Sequence, residues 1–189
     1  MSKPLQLRQL GDPILRTQAQ LLTVDEIRSD KIQLLIQNIR SINESKQYGV
    51  GLAAPQVGIS VSLSVIGIKP TPTRPDIVRF ESVIINPTYV GIGRRSALWE
   101  GCQSVGKGQN TLYGKVPRYK QIQAVWHDEQ GVMHKDILEG FVAHVFQHEA
   151  DHLKGILFID RVRDTKSLMM ASEYRKRVVL AAHSGQGKS

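Results

Sequence analysis

The chain of 189 residues has a single cysteine, few aromatic residues and no long apolar run. One cysteine, Cys102, excludes a disulfide framework within the chain and is typical of a protein from a reducing compartment. No hydrophobic stretch approaches the roughly 20 residues that a transmembrane helix requires. The first residues, Met-Ser-Lys-Pro-Leu-Gln, lack the apolar core of a secretory signal. These absences predict a soluble cytoplasmic protein that contacts no membrane.

Acidic residues are in the minority, with 17 Asp and Glu against 25 Lys and Arg, so the formal net charge is +8. A positive charge of this size attracts polyanions. However, the sequence contains no helix-turn-helix, zinc-finger or aromatic-rich RNA-binding pattern. We therefore expect only non-specific contact with nucleic acid, and no sequence-specific recognition.

The most informative pattern lies in residues 147–155, which read Gln-His-Glu-Ala-Asp-His-Leu-Lys-Gly. On a helix, His148 and His152 stand one turn apart on the same face, so both imidazoles can bind one divalent ion. Glu149 lies close enough to act on water at that ion. Gly155 stands where the C-cap of a helix belongs. The segment predicts a metal-binding helix that still needs a third ligand.

Cys102, within Glu100-Gly101-Cys102-Gln103-Ser104, is the candidate for that third ligand. By itself a lone cysteine is more often a small buried hydrophobic residue. A thiolate with two imidazoles would leave the fourth tetrahedral position for water, as catalytic sites do. The glycine-rich residues 49–58 predict a loop that allows close backbone approach to a ligand.

The apolar pattern predicts an α+β fold, with mixed or antiparallel sheets around a central metal-binding helix and with N-terminal and C-terminal helices. A first long helix is expected over residues 30–44, and a basic amphipathic helix over about 165–182. Strands are expected over residues 61–68, 83–85, 95–99, 121–127, 132–138 and 156–159, with a hairpin turn at 128–131. Length and composition predict a single domain over residues 1–183 and a flexible tail over 184–189.

Residues 49–56, 100–104 and 147–155 together resemble, in order and spacing, the three signature segments of the peptide deformylases. The Gly-Asp-Pro-Ile-Leu-Arg start at residues 11–16 and the basic C-terminal helix are also similar, so the resemblance covers roughly residues 5–180. It implies an α+β fold and a metal-dependent hydrolase that removes the N-formyl group from the N-terminal formylmethionine of newly made proteins, releasing formate. The implied cofactor is one divalent ion, usually Fe²⁺, although Zn²⁺, Ni²⁺ or Co²⁺ also suits such ligands.

The resemblance also implies residue roles. The metal ligands would be Cys102, His148 and His152. Glu149 would act as general base and acid, while the side-chain amide of Gln56 and the backbone N–H of Gln103 would stabilise the tetrahedral oxyanion. The implied substrate-binding residues are Val50, Gly51, Gly101, Phe141, His144 and Val145.

Three polar residues of the metal-motif helix allow more than one interpretation. His144 belongs to the implied pocket for the first substrate side chain, yet a lone histidine on a helix is more often a partly buried structural residue, and we prefer that interpretation. Gln147 and Asp151 could orient the metal-binding imidazoles through hydrogen bonds. Asp151 could also be an ordinary solvated helix residue.

Two features depart from the usual family pattern. Gln103 replaces the commonest residue, leucine, but its implied contact uses the backbone N–H, which glutamine also supplies. Residues 105–115 form a longer loop than in typical bacterial members. Those members have a substrate-contacting arginine in this loop, whereas here the first arginine from residue 105 onward is Arg118 and the nearest cation is Lys107. Because lysine lacks the bidentate fork of arginine, the resemblance predicts the type of reaction but not the range of peptides that the chain accepts.

The resemblance implies N-formylmethionyl peptides of nascent chains as partners. The basic residues 175–177 predict docking to ribosomal RNA, or else form a solubilising face. The expected origin is a bacterial-type cytoplasmic enzyme rather than an organellar one that has lost a transit peptide. Two other functions stay open: a related metal-dependent amidase or peptidase with a divergent substrate, and a non-catalytic binding protein that holds a structural metal. A structural site would be expected to have four protein ligands.

Overall fold

The computed structural model describes residues 5–45, 49–71 and 75–181, so the predicted tail at 184–189 lies outside the described residues. The strands are β1 Gly51–Ala53, β2 Leu63–Ile68, β3 Phe80–Gly101, β4 Leu112–His127, β5 Met133–Glu139 and β6 Met169–Met170. The helices are α1 Val24–Arg28, α2 Asp30–Glu44, α3 Gly140–Leu153, α4 Phe158–Arg161 and α5 Ala171–Tyr174, which continues as a π-helical turn over Arg175–Val179. The predicted α+β fold is confirmed.

The strands form one antiparallel sheet in the order β1-β2-β3-β4-β5, and β6 pairs with the start of β4. The first part of β3 pairs with β2, and the rest pairs with β4 as far as Gly101 opposite Tyr113. The predicted strands 83–85 and 95–99 are both parts of β3, because two irregularities in register let one strand bend without ending. As a result, β3 leads directly into the segment that carries Cys102.

Alternating side chains of β2 divide the core into two layers. Leu63 and Val65 pack with α2 on one face, whereas Ile66 and Ile68 pack with α3 on the other. Ser64 shares the α3 face, and it is fully buried. This alternation follows from the two-residue period of a strand, and it brings a hydroxyl beneath the metal-motif helix.

Helix α2 has the predicted bounds. Its first turn is capped by Ser29, whose side chain accepts a hydrogen bond from the backbone N–H of Ile32. Its apolar stripe is buried at Ile32, Leu35, Ile36 and Ile39 and partly buried at Ile42. Each buried isoleucine or leucine contributes roughly 1.5–3 kcal/mol of transfer free energy, so α2 is anchored chiefly by this stripe.

The predicted hairpin connects β4 and β5, and Asp128 organises its turn. The Asp128 carboxylate accepts hydrogen bonds from the backbone N–H groups of Gln130 and Val132, each at 2.9 Å. His134 Nε2 lies 2.7 Å from the same carboxylate. Burial would raise the pKa of Asp128, but the contacts with His134 and the two backbone groups lower it.

We expect Asp128→Asn to reduce the free energy of unfolding near neutral pH by up to about 1 kcal/mol. Because the pKa of Asp128 in the folded protein lies below its ordinary value of 3.8, the charged form stabilises the fold above that pH. The contribution is lost as the pH falls through the lowered pKa. Urea unfolding of both proteins from neutral pH down to about pH 3 would measure this. A difference that stays constant over the range would contradict the prediction.

Three predictions of local structure were wrong. Residues 156–159 form no strand; the chain turns into α4, where Asp160 accepts a hydrogen bond from the backbone N–H of Leu157 at 2.8 Å. The predicted helix over 165–182 begins only at Ala171, because the preceding residues pair with β4 as β6. The predicted glycine-rich loop contains β1 and a 3-10 turn. Within the described ranges, none of the helices has the length and apolarity needed to cross a membrane.

Candidate metal centre

Three side chains from distant parts of the chain converge at one point. The ligand atoms of Cys102, His148 and His152 all lie within 4.8 Å of one another, and Cys102 Sγ lies 3.3 Å from His152 Nε2. Metal–sulfur and metal–nitrogen bonds of about 2.3 and 2.1 Å suit such a cluster. Within the described part of the chain, no other His, Cys, Asp or Glu joins this group. Three ligands leave a coordination position open, as in catalytic sites.

Helix α3 provides both imidazoles, and its ends are well defined. It follows β5 directly, which sets the buried face of the helix against the sheet. After Leu153 the chain leaves the helix through Gly155, whose φ of 70° is costly for other residues. The backbone N–H groups of Gly155 and Ile156 bond to the last turn of the helix. The helical spacing therefore extends through His152.

Glu100 orients the first imidazole. Its Oε2 lies 2.7 Å from His148 Nδ1, an arrangement that leaves the other ring nitrogen for the metal. Arg118 donates to both Glu100 oxygens, from Nε at 2.7 Å and from Nη2 at 3.0 Å. Arg118 also contacts Asp151, which in turn binds Arg161 Nη2 at 2.8 Å. Asp151 thus acts on the site through Arg118 rather than directly on an imidazole.

The ionisable groups of this cluster shift one another's pKa values. Burial would raise the pKa of Glu100, but hydrogen bonds from His144, His148 and Arg118 hold that pKa well below its ordinary range. Burial would lower the pKa of His148, yet the neighbouring Cys102 and Glu100 raise it well above its ordinary value. Burial and the charges of His148 and Arg118 lower the pKa of His152. Glu100 is therefore ionised throughout the neutral range.

Glu149 lies beside the ligand group without joining it. Its Oε2 accepts a hydrogen bond from Ser64 Oγ at 2.8 Å, and burial raises the pKa of its carboxyl group. A carboxyl group with a raised pKa exchanges protons more readily near neutral pH than an exposed one does. The position and environment of Glu149 suit a general acid and base.

Gln56 reaches the same site from the turn that follows β1. Its Oε1 accepts from the backbone N–H of Ala53 at 2.8 Å, while Nε2 lies 3.1 Å from Ser104 Oγ and 3.4 Å from Cys102 Sγ. Because Oε1 is occupied by Ala53, the amide presents its N–H groups to the site. A negatively charged oxygen at the site would take one of these N–H groups from Ser104 or Cys102.

Residues 8–10 hold the two segments that contain Gln56 and Gln103. The backbone N–H of Arg8 donates to the Gln56 carbonyl at 2.8 Å, and Gln9 Nε2 donates to the Gln103 carbonyl at 2.7 Å. The backbone N–H of Leu10 donates to the Ser104 carbonyl at 2.7 Å. The start of the chain is therefore part of the scaffold around the site.

The sequence-predicted substrate residues divide between two cavities and the core. Val50 and Phe141 line a cavity of about 340 Å³, and Phe141 also lines a second cavity of about 380 Å³ together with His144. Val145 is buried among the apolar residues between α3 and the sheet. Gly51 faces Glu149, and Gly101 lies under the Tyr113 ring. His144 is fully buried rather than partly buried, and it contacts Glu100.

Glu100, Arg118 and Ser64 belong to the site although the sequence alone predicted no role for them. The buried position of Arg118 could have been predicted from the sequence, because Gly114, Val116 and Arg118 stand at every second position of β4 and share its inward face. An arginine on an apolar strand face requires a buried carboxylate. No local pattern would have paired Ser64 with Glu149, which lies 85 residues further along the chain.

We expect Gly51→Ala to reduce turnover at the metal centre at least about 10-fold, because small misplacements of reacting groups can cost up to roughly 100-fold. A Cβ at Gly51 would lie 2.6 Å from Glu149 Cδ, so the carboxylate would have to move. Steady-state kinetics would measure the loss, with Gly67→Ala as the control. A Cβ at Gly67 meets only Asn43 Nδ2, at 3.3 Å. Equal activities of the two variants would contradict this role of Gly51.

A family model described as polypeptide deformylase matches residues 4–168. Peptide deformylase 2 of Nostoc sp. is 39% identical over 176 residues, which cover 92% of this chain and 94% of that protein. The peptide deformylase of Leptospira biflexa is 37% identical over 164 residues, covering 83% of this chain and 87% of the relative.

Solved structures are similar over most of the chain. A class I type b peptide deformylase from Acinetobacter baumannii, bound to Met-Ala-Ser, superposes with a TM-score of 0.77 at 32% identity. The match covers 86% of this chain and 100% of that one. A peptide deformylase from Synechococcus elongatus in complex with actinonin has a TM-score of 0.74 at 34% identity and covers 88% and 84%, respectively.

Proposed function

The chain belongs to the polypeptide deformylase family, and we propose that Cys102, His148 and His152 hold its catalytic ion. Members of this family are metal-dependent hydrolases that remove the N-formyl group from newly made polypeptides. The observation that carries the proposal is the convergence of one thiol and two imidazoles beside a buried glutamate. A bound divalent ion at such ligands supplies Lewis-acid activation of water and of the formyl carbonyl.

Glu149 moves the protons of the reaction. It accepts a proton from the attacking water and delivers a proton to the nitrogen of the scissile formyl amide, so that the C–N bond breaks with formate and a free α-amino group as products. The burial of Glu149, which raises the pKa of its carboxyl group, supports this assignment together with its place next to His148. The Ser64 hydroxyl donates to Glu149 Oε2 and so restrains the carboxylate.

Gln56 and Gln103 stabilise the tetrahedral oxyanion that forms when water attacks the formyl carbon. The Gln56 amide supplies a side-chain donor, and the backbone N–H of Gln103 supplies a second. Each well-placed donor contributes roughly 2.7–4 kcal/mol to the transition state. The hydrogen bonds from residues 8–10 to these two segments support this assignment, because they restrain both donors before substrate arrives.

The substrate is a peptide with an N-terminal formylmethionine. The relative from Acinetobacter baumannii has a Met-Ala-Ser peptide bound, which supports methionine as the first residue here as well. In this chain, the start of the formylmethionyl substrate contacts Val50, Gly51, Gly101, Phe141, His144 and Val145. Phe141 lines both cavities among polar and charged side chains such as Glu81 and Lys120, and its ring offers an apolar surface for the methionine thioether.

The finer assignments follow the same premise. The native ion is Fe²⁺, although Zn²⁺, Ni²⁺ and Co²⁺ fit one thiolate and two imidazoles, and the enzyme works in a bacterial-type cytoplasm. The exposed cations at 175–177 contact ribosomal RNA. Cosedimentation with ribosomes at increasing salt would measure this contact. Binding that survives neutralisation of these cations would contradict it.

Formate release tests the function directly. The protein is purified anaerobically with Fe²⁺ and given formyl-Met, acetyl-Met and unmodified Met versions of one peptide. We expect formate from the formyl peptide alone, loss of turnover when a chelator removes the ion, and recovery on adding Fe²⁺. Cleavage of the acetylated or unmodified peptide would instead favour an amidase or peptidase. A fully metallated protein without turnover on any peptide would contradict the proposal.

A further inference from the structure

Three hydrogen bonds and one ion-pair contact surround the buried Glu100 carboxylate, with two contacts at each oxygen. Oε1 lies 2.7 Å from Arg118 Nε and 2.6 Å from His144 Nε2. Oε2 lies 3.0 Å from Arg118 Nη2 and 2.7 Å from His148 Nδ1. An ionised carboxylate has about four lone-pair sites, and aligned hydrogen bonds use three of them. Among the residues that the structure describes, His144 Nε2 is buried without any other hydrogen-bond partner, so Glu100 Oε1 is the acceptor within its reach.

Besides Arg118, His144 is the member of this set that neither binds the metal nor transfers a proton in the proposed reaction. It is 4% exposed and stands one turn before His148 on α3, so the two rings reach the same carboxylate from one helix face. Arg118 binds both carboxylate oxygens, from Nε and Nη2. These two hydrogen bonds still allow the carboxylate to rotate about the axis that joins its oxygens. A hydrogen bond from His144 to Oε1 would oppose that motion.

We propose that His144 is a positioning residue of the metal centre, which holds Glu100 Oε1 so that Glu100 Oε2 stays on His148 Nδ1. The proposal rests on the proposed function, because it requires an ion bound by His148. His144 also lines the cavity of about 380 Å³, so the same residue touches both that cavity and the carboxylate that orients a metal ligand.

Two substitutions of equal length separate the donor from the packing. His144→Met fills the space without a hydrogen-bond donor, whereas His144→Gln retains an amide N–H near the position of the imidazole Nε2. Loss of a partner that orients a ligand typically costs 10–100-fold in metal affinity. We expect His144→Met to lose about 10–100-fold in affinity and His144→Gln to recover most of it.

Co²⁺ titration of the metal-free protein, followed by the visible absorption of the bound ion, measures this without turnover. We expect His144→Met to weaken binding and to alter the absorption bands, which report the geometry of the ligands. His134→Met is the matched control, because that histidine contacts Asp128 in the hairpin turn instead. It should bind Co²⁺ as the wild type does. Circular dichroism and thermal unfolding establish that each variant is folded.

Unchanged affinity and absorption in His144→Met would overturn the proposal. Equal impairment of His144→Met and His144→Gln would also overturn it, because packing rather than the donor would then be responsible. If His144→Met does not fold, His144→Leu takes its place in the comparison with His144→Gln. Failure of the wild type to bind one Co²⁺ would contradict the proposed metal site itself, an outcome distinct from a difference among the variants.

Discussion

Replacing Glu149 by glutamine should lower kcat for a formyl-methionyl peptide by about 10²–10⁴-fold, the range that a general acid or base contributes. The amide keeps the size of the carboxylate and can still contact Ser64. However, it can neither accept a proton from water nor deliver one to the leaving nitrogen. Because Glu149 lies outside the three-ligand group, the variant should still bind one metal ion.

Single-turnover and steady-state assays of formate release would test this, together with metal analysis of the same sample. Glu173→Gln is a suitable control, because Glu173 is a half-exposed glutamate paired with Arg177 on the C-terminal helix. We expect the control to retain wild-type turnover. A fully metallated Glu149→Gln protein with near-wild-type kcat would exclude Glu149 as the proton-transfer group.

Replacing Arg118 by methionine should destabilise the fold by about 3–5 kcal/mol, the usual effect of leaving a buried charge without its partner. The Arg118 side chain is 3% exposed and lies between Glu100 and Asp151, whose side chains are 4% and 2% exposed. Both carboxylates would stay buried after the substitution. Asp151 would keep Arg161, which is itself partly exposed, and of its described contacts Glu100 would keep only those with His144 and His148.

Chemical denaturation of the metal-free proteins would measure the change, since bound metal would add its own binding free energy to the folded state. Arg40→Met is the matched control. Arg40 pairs with Glu129 at 3.1 Å, but both side chains are partly exposed, so the expected loss is within about 1 kcal/mol. Similar losses for Arg118→Met and Arg40→Met would show that burial of the Glu100–Arg118–Asp151 cluster has little energetic effect.

Local patterns accounted for much of the architecture. The bounds of α2, the hairpin turn at 128–131 and the metal-motif helix were predictable because each depends on a periodicity or a turn within a few residues. The failures also have local causes. Residues 156–159 are apolar enough for a strand, but a side-chain cap from Asp160 begins a short helix there. The residues before Ala171 have a helical pattern, yet the free edge at the start of β4 pairs with them as a strand.

The sequence by itself determined which helix could carry a metal, because helical spacing places His148 and His152 on one face wherever that helix packs. Together with the glycine-rich and cysteine segments, it also determined the family. Only the tertiary structure decided what surrounds those imidazoles. Glu100 reaches His148 across 48 residues and Arg118 reaches Asp151 across 33. Such contacts depend on the register of β3 with β4 and on the packing of α3 against the sheet, which no local pattern specifies.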